Sequence, residues 1–285
     1  MIPLPRLKKD VLFNNELTHV VDVMKGIAAA RFHVLERQLV LFERFFKTAG
    51  EILELVDIRN VDHPFVKPSV ETVGAILVTS NSGFLGSLNA QVVHSGLSEG
   101  GAKGLLTVIG ERGVNYVKDA GRPFTDFPGI EDASRSALAL SVRDHVVRQV
   151  LRGECGRLIV VYPKPISFAV QKIMVEVLLP CSAWVPQGEK AKGSVTDLIC
   201  ESRMEDIVEY VVTQWIGHRL NEIFALSRLA ELSARAVYLE GSYQELLQRG
   251  KNLKLQYLRA RHEVIDRRIR EIFAAQLLHG RAHAH

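Results

Sequence analysis

The segment of this sequence best suited to chemistry is a polar, glycine-bearing turn after an apolar run, TSNSGFLGSLN at residues 79–89. A turn between a strand and a helix can present backbone N–H groups to a phosphate. The segment lacks the lysine of GxxxxGK(S/T) and the spacing of GxGxxG, and it does not match the GxSxG pattern of a nucleophilic serine. We therefore interpret it as a tight structural turn that depends on Gly83, Gly86 and Asn89, with a phosphate-binding or catalytic turn as the alternative.

The cysteines and histidines give little support to metal or redox chemistry. Cys155, Cys181 and Cys200 are widely spaced and form no CxxC pair, so neither a disulfide framework nor a zinc site is indicated. Ten histidines are present, but no HExxH motif occurs. We predict no catalytic residue, no metal and no cofactor.

The stretch from Arg249 to Arg270 is rich in basic side chains and poor in acidic ones. A run of this kind is typical of a solvated helix face. Its apolar positions would also need cover, which a socket of partner subunits could provide. The net charge of +4 suits an acidic protein, an anionic membrane surface or nucleic acid, and it does not select among them.

The middle of the chain, residues 70–185, must position the turn, and there β-branched runs alternate with helical stretches. The runs are GAILVTS from Gly74, LLTVIG from Leu105 and RLIVVY from Arg157, and the helical stretches lie near 87–97, 111–120 and 131–151. This alternation predicts βαβ units and a mainly parallel, Rossmann-like sheet. Residues 171–179 alternate in period two, which predicts a further strand, antiparallel at an edge.

The two ends of the chain have helical periodicity. In residues 1–57, apolar side chains recur in steps of three or four from Leu17 onward, which is typical of a coiled-coil seam. The seam includes Met24, Ala28, Phe32 and Leu35. Residues 203–285 repeat the pattern without a proline up to the tail. Neither helix can bury its seam alone, so we predict that both pack together as an antiparallel coiled coil beside the central α/β domain.

Three motifs, in order along the chain, resemble those of one protein family. Residues 20–32 (VVDVMKGIAAARF) are similar to ITKAMKMVAASKM, and residues 78–89 match VTSDRGLCGGLN at Gly83, Gly86, Leu88 and Asn89. The C-terminal patterns SExxARxxAM and YNxxRQxxITxEL are matched by the following residues: Glu231, Ala234, Arg235, Tyr257, Arg261 and Ile265. In its order of motifs, the sequence resembles the gamma subunit of rotary ATP synthases across nearly the whole chain.

The resemblance implies a central rotor shaft that couples ion-driven rotation of a membrane ring to ATP synthesis or hydrolysis in a catalytic ring. The implied partners are the alpha and beta subunits, an epsilon-type subunit and the c-ring. Arg261 corresponds to the main charged contact with the beta subunits. The chain departs from the family pattern at neighbouring positions, where it carries His262, Asp266 and Arg268, and so resembles a divergent member.

From the resemblance we expect residues 1–57 and 203–285 to form the shaft and residues 70–185 to form its foot. The implied location is the cytoplasmic side of the inner or plasma membrane, peripheral and without membrane insertion, and no nucleic-acid partner is expected. The sequence is compatible with two other functions. One is a free-standing Rossmann-like nucleotide-binding or enzymatic domain with dimerising helices, and the other is a coiled-coil scaffold or basic helix for anionic surfaces.

Overall fold

The structure, a computed structural model, describes residues 3–38, 61–101, 103–181 and 203–282. Its helices are α1 (Leu4–Gln38), α2 (Leu88–Gly100), α3 (Glu111–Asp119), α4 (Arg135–Leu151) and α5 (Met204–Ala282). Its strands are β1 (Val73–Val78), β2 (Leu105–Ile109), β3 (Thr125–Phe127), β4 (Arg157–Pro165) and β5 (Gln171–Leu179). The predicted continuation of the first helix beyond Gln38, and Cys200, lie outside the described residues.

The strands form one sheet in the order β3-β2-β1-β4-β5. β3, β2, β1 and β4 run parallel, and β5 pairs antiparallel with β4 at the edge. The predicted βαβ arrangement and the antiparallel edge strand are therefore confirmed. β3 was not predicted, because it has only three residues.

The two faces of the sheet pack against different helices, because alternate side chains of a strand point to opposite faces. Ala75, Leu77 and Ile159 face α2 and α3, where Val92 and Val117 are fully buried. On the opposite face lies the larger core, built from β1, β4, α4 and the first turns of α5. Its buried side chains include Ile76, Val78, Leu158, Val160, Val142, Val146, Val212, Ile216 and Leu220.

α1 and α5 are the long helices that the periodicity predicted. α1 has 35 residues, and α5 runs for 79 residues. Gly217, Gly241 and Gly250 lie inside α5 without interrupting it. Each costs only about 1 kcal/mol relative to alanine, which the burial of many apolar side chains along the helix offsets.

The described residues belong to two compact units, one comprising Met1–Ile27 with Val237–His285 and the other comprising Ala28–Ala236. Along α1, burial recurs every seven residues, at Leu7, Asn14, Val21, Ala28 and Leu35, with Phe32 also buried. Leu17, which the spacing placed in the seam, is 37% exposed. The spacing identified most of the buried positions but missed the first two.

None of the helices in the described ranges combines the length and the apolar character that crossing a bilayer requires.

Candidate functional site

The predicted turn lies where ligands usually bind in a sheet of this topology. Strand order reverses between β1 and β4, because the chain moves outward from β1 to β2 and β3 and then returns to the other side of β1. In open α/β sheets, ligands occupy the crevice at the carboxyl ends of the strands beside such a reversal. Thr79 and Ser80 follow β1 at this place, and Pro163 belongs to the end of β4.

The polar groups of the turn are hydrogen-bonded to one another. The Asn89 Oδ1 accepts the backbone N–H of Ser80 at 3.1 Å, and the Asn89 Nδ2 donates to the Ser80 Oγ at 2.9 Å. The Ser80 hydroxyl in turn donates to the carbonyl of Ser82 at 2.9 Å. Asn89 and Ser80 are both buried. These bonds hold the serine as part of the turn, because its proton is already donated to the backbone.

The first turn of α3, which could bind an anion, is capped by the chain itself. The amide of Glu111 donates to the Asn81 Oδ1 at 3.1 Å, and that of Arg112 donates to the Ser80 carbonyl at 3.0 Å. The Gly113 amide donates to the Thr79 Oγ1 at 3.0 Å. A helix N-terminus binds phosphate through such amides. Here three of them already have partners in the β1 turn.

Backbone conformation favours glycine at position 86, and a neighbouring side chain lies close to the backbone at position 83. Gly86 has a φ of 57°, a left-handed conformation that favours glycine. At Gly83, an added Cβ would lie 3.2 Å from the Arg112 guanidinium. Phe84 between them also has a positive φ, 63°, and is half exposed. Gly83, Gly86 and Asn89 thus belong to one turn, in which Asn89 bonds back to Ser80.

Helix α5 fills the crevice beside the turn. Ala234 packs on Leu85 and Leu88 of the turn, and all three are buried. Ser227 and Glu231 of α5 line a small cavity together with residues of β1, the turn and β4. Glu231 is buried, and its two oxygens accept from Arg228 at 2.7 Å and Arg235 at 2.5 Å. The chain's own helix therefore occupies the position at which a free-standing nucleotide-binding domain holds its ligand.

An ion-pair network between β5 and α5 was not identified from the sequence. Arg219 binds both oxygens of Glu176, at 2.6 and 2.7 Å, and also pairs with Glu222 one turn along its helix. The Tyr162 hydroxyl donates to Glu176 at 3.0 Å. Burial lowers the pKa of Arg219, but hydrogen bonds and charges from the two carboxylates outweigh burial and raise it. Burial, followed by the charge of Glu176, raises the pKa of Tyr162, which therefore stays a neutral donor.

Two of the three cysteines are chemically quiet. Cys155 and Cys181 are buried free thiols, and burial raises the pKa of each to about 11. The thiolate is the reactive form of cysteine, so both remain protonated and inert near neutral pH.

The predicted seam residues occupy different surroundings. Phe32 and Leu35 are buried in a cluster with Leu229 and Leu232 of α5. The ring of Phe32 also meets Phe168 of the β4–β5 turn edge-on, with 5.0 Å between ring centroids. Ala28 is 2% exposed, whereas Met24 is only partly buried.

The predicted contact residues lie in the C-terminal part of α5. Arg261, His262 and Asp266 are exposed there. His262 and Asp266 are four residues apart and so share one helix face, while Arg261 shares its face with exposed Ile265. Exposed apolar side chains also recur along this part of α5: Leu255, Leu258, Ile265, Ile269, Ile272 and Phe273.

The fold is an α/β sheet whose crevice beside the turn is occupied by a long helix of the same chain. The sequence profile of the family described as ATP synthase matches residues 11–276. The chain belongs to this ATP synthase family. The resemblance found in the sequence is confirmed.

Curated relatives carry the name ATP synthase gamma chain. The chain is 26% identical to that of Chlorobaculum tepidum over 270 residues, which cover 90% of this chain and 91% of the relative. It is 28% identical to that of Symbiobacterium thermophilum, with 79% of each chain covered.

Solved structures have the same fold. One match is a chain of the Euglena gracilis mitochondrial ATP synthase, from a structure of its OSCP, F1 and c-ring. The TM-score is 0.71 and the sequence identity 16%, and the match covers 96% of this chain and 93% of that chain. A chain of the Tetrahymena thermophila mitochondrial ATP synthase central stalk and c-ring matches with a TM-score of 0.59 and 16% identity, covering 78% and 99%.

Proposed function

We propose that this chain is the rotor shaft of a rotary ATP synthase and that it carries no catalytic site of its own. Residues 1–57 and 203–285 would form an antiparallel coiled coil that turns inside the ring of alpha and beta subunits. Residues 70–185 would form the foot, which contacts the membrane c-ring and an epsilon-type subunit. The assembly would hold the chain as a peripheral subunit on the cytoplasmic side of the inner or plasma membrane.

The observation that carries this proposal is that one part of α5 has buried apolar side chains and another part has exposed ones. Between residues 208 and 224, α5 places apolar side chains in the core of the sheet, with Val212, Ile216 and Leu220 fully buried. Residues 253–273 of the same helix leave apolar side chains such as Ile272 and Phe273 exposed. An exposed apolar stripe among many basic side chains calls for a partner surface. A surrounding ring of subunits would cover the apolar stripe and pair with the charges.

Rotation can be coupled to nucleotide affinity if the shaft is asymmetric. A shaft that contacts the catalytic subunits differently at each orientation gives each subunit a different conformational equilibrium. Turning the shaft then moves each catalytic subunit through the same series of states in sequence. The shaft needs stiffness and specific contacts for this role and does not itself react.

Arg261 is proposed as the main charged contact with the beta subunits. Its guanidinium is exposed and can donate two parallel hydrogen bonds to a carboxylate. His262 and Asp266 occupy the neighbouring face and would supply polar contacts of a different kind from those of the usual family pattern. Arg249, also exposed on α5, provides a matched control for loss of positive charge.

The first experiment asks whether alpha and beta subunits accompany the chain when the affinity-tagged protein is isolated from its native membranes. We expect both subunits, together with ATP hydrolysis that the isolated chain lacks. A chain recovered without alpha and beta subunits would contradict the shaft assignment.

The second experiment compares Arg261→Ala with Arg249→Ala in the assembled enzyme. We expect Arg261→Ala to lower coupled ATP synthesis, or the yield of assembled complex, more than Arg249→Ala does. Equal effects of the two substitutions would remove Arg261 from its special role while leaving the shaft assignment intact.

A further inference from the structure

Asn14 occupies a position in α1 where the seven-residue pattern calls for an apolar side chain. It lies seven residues after Leu7 and seven before Val21, and all three are buried. Asn14 is 4% exposed, and its Oδ1 meets no hydrogen-bond donor among the described residues. A polar side chain buried in this way weakens packing, so its presence needs a compensating role.

The amide of Asn14 reaches the backbone of α5. Its Nδ2 donates to the carbonyl oxygen of Leu246 at 3.0 Å, across 232 positions in sequence. A carbonyl oxygen only accepts, so the amide nitrogen, not the oxygen, must face α5. The contact therefore selects both the partner residue and the orientation of the side chain.

Gly250 provides the space for this contact. It lies one turn after Leu246 in α5, and a Cβ built on it would lie 2.9 Å from the Asn14 Nδ2. That distance is too short for a carbon beside an amide nitrogen, so any larger residue would push the Asn14 amide aside. Gly241 lies in the same helix, and a Cβ there would meet nothing within 4 Å. The two glycines are thus equivalent in helix propensity but not in what they face.

We propose that Asn14 and Gly250 form a register lock between α1 and α5. Apolar seams repeat every seven residues and tolerate a slip by one repeat, because one aliphatic side chain replaces another. The Asn14 amide does not tolerate the slip, because it needs the Leu246 carbonyl as acceptor and the space beside Gly250. Buried asparagines at such positions are known to specify register at a cost in stability.

A second contact between these segments is consistent with the same alignment. Lys25 pairs with Glu240 at 3.0 Å and lies 4.3 Å from the ring centroid of Tyr243. The order of the partners, Asn14 with Leu246 and Lys25 with Glu240, is antiparallel. Lys25 and Glu240 are solvent-accessible, so salt weakens their attraction and the buried Asn14 contact is the stronger determinant.

The lock rests on the proposed pairing of the two helices as a shaft. A shaft passes on rotation only if its helices keep one alignment under load. A slip by one repeat would change which side chains of α5 face outward at each height, and so would change the contacts with the surrounding ring.

The test uses thiol cross-linking by a short bismaleimide on the purified full chain with Cys200 replaced by serine, because a lysine–glutamate ion pair can span more than a disulfide bridges. A native-register reporter carries Lys25→Cys with Glu240→Cys, and a slipped-register reporter carries Lys25→Cys with Leu247→Cys. Both reporters lack the Lys25–Glu240 ion pair, so this contact cannot hold the register when Asn14 is changed. We expect the native pair to cross-link predominantly when Asn14 is intact.

Asn14→Val should raise the thermal midpoint of the chain and, at the same time, increase the ratio of slipped to native cross-links several-fold. If Asn14 affected only packing, its replacement would change the thermal midpoint without changing the ratio of slipped to native cross-links. Gly250→Ala should produce the same change in ratio with Asn14 still present, whereas Gly241→Ala should leave the ratio unchanged. Gly250→Ala also serves as the test if Asn14→Val does not fold.

Two outcomes would overturn the proposal, and they are distinguishable. If the native pair cross-links equally well with Asn14→Val, Gly250→Ala and the unmodified positions, the lock is wrong and the helix pairing stands. If the native pair does not cross-link even with Asn14 intact, the pairing itself fails, and the shaft proposal fails with it.

Discussion

Replacing Glu176 with leucine tests whether the network between β5 and α5 is a coupled unit. The substitution removes the partner of Arg219, and both side chains of this pair are largely buried, at 21% and 25% exposure. Breaking a fully buried pair from one side costs about 3–5 kcal/mol. Glu222 still neutralises Arg219, which reduces the cost, but the Tyr162 hydroxyl loses its acceptor, which adds about 1 kcal/mol. We expect Glu176→Leu to lower the free energy of unfolding by about 3 kcal/mol.

The double variant Glu176→Leu with Arg219→Met separates coupling from packing. It removes both charges and fills their space with apolar side chains, so no guanidinium is left without its main partner. We expect the double variant to be less destabilised than either single variant. The measurement is urea unfolding of the purified chain followed by circular dichroism, analysed as a double-mutant cycle.

An additive result would refute this reasoning. If the double variant loses the sum of the two single losses within about 0.5 kcal/mol, Glu176 and Arg219 act independently. Arg152→Met serves as the control, because Arg152 pairs with Glu154 only at 3.8 Å and is 70% exposed. It should leave the unfolding midpoint unchanged within error.

Three further predictions concern the same unfolding assay. Ala28→Glu buries a carboxylate at a position 2% exposed and should cost about 3 kcal/mol, whereas exposed Ala30→Glu should cost little. Gly96→Ala places a Cβ against the Leu77 side chain of β1 and should lower the free energy of unfolding by about 1–3 kcal/mol. The control is Gly100→Ala, whose Cβ makes only ordinary contacts at 3.6 Å and should leave stability nearly unchanged. Equal losses of stability in the two variants would contradict the steric overlap at position 96. Burial, and then the charge of Arg148, lowers the pKa of His145 below its ordinary 6.5. The unfolded chain therefore binds the proton more readily than the folded chain, so the free energy of unfolding should fall as the pH drops below 6.5. His145→Gln should flatten this dependence between pH ~7.5 and ~5.5, and an unchanged slope would exclude His145 as its source.

Local patterns in the sequence predicted the elements that repeat a signal over many residues. β1, β2, β4 and β5 were found because each is a run of β-branched residues or a clear alternation. β3 was missed because Thr125–Phe127 spans only three residues and has no period of its own. It is a strand because β2 offers it a paired edge, and that edge exists only in the folded chain.

The site residues that the sequence missed depend on contacts between distant segments. Arg219 and Glu176 are 43 positions apart, and no spacing rule connects them. Asn14 and Gly250 give no signal individually, because a single polar residue or glycine in a long helix only weakens the apolar pattern that predicts the helix. One signal was available: Asn14 lies seven residues before Val21, at a buried heptad position. A seam traced in sevens from Val21 would have reached Asn14 and Leu7 rather than Leu17.

The packing of α5 on one face of the sheet has a consequence for how the chain folds during synthesis. β1 to β4 and α4 leave the ribosome well before residues 204–236, yet Val212, Ile216 and Leu220 complete the core on which they pack. Until α5 emerges, the apolar side chains of that sheet face remain open to water, and nascent chains with such surface are prone to aggregate. The last helix therefore acts as the closing segment of the fold, so a truncated chain ending before residue 204 should need a chaperone to stay in solution.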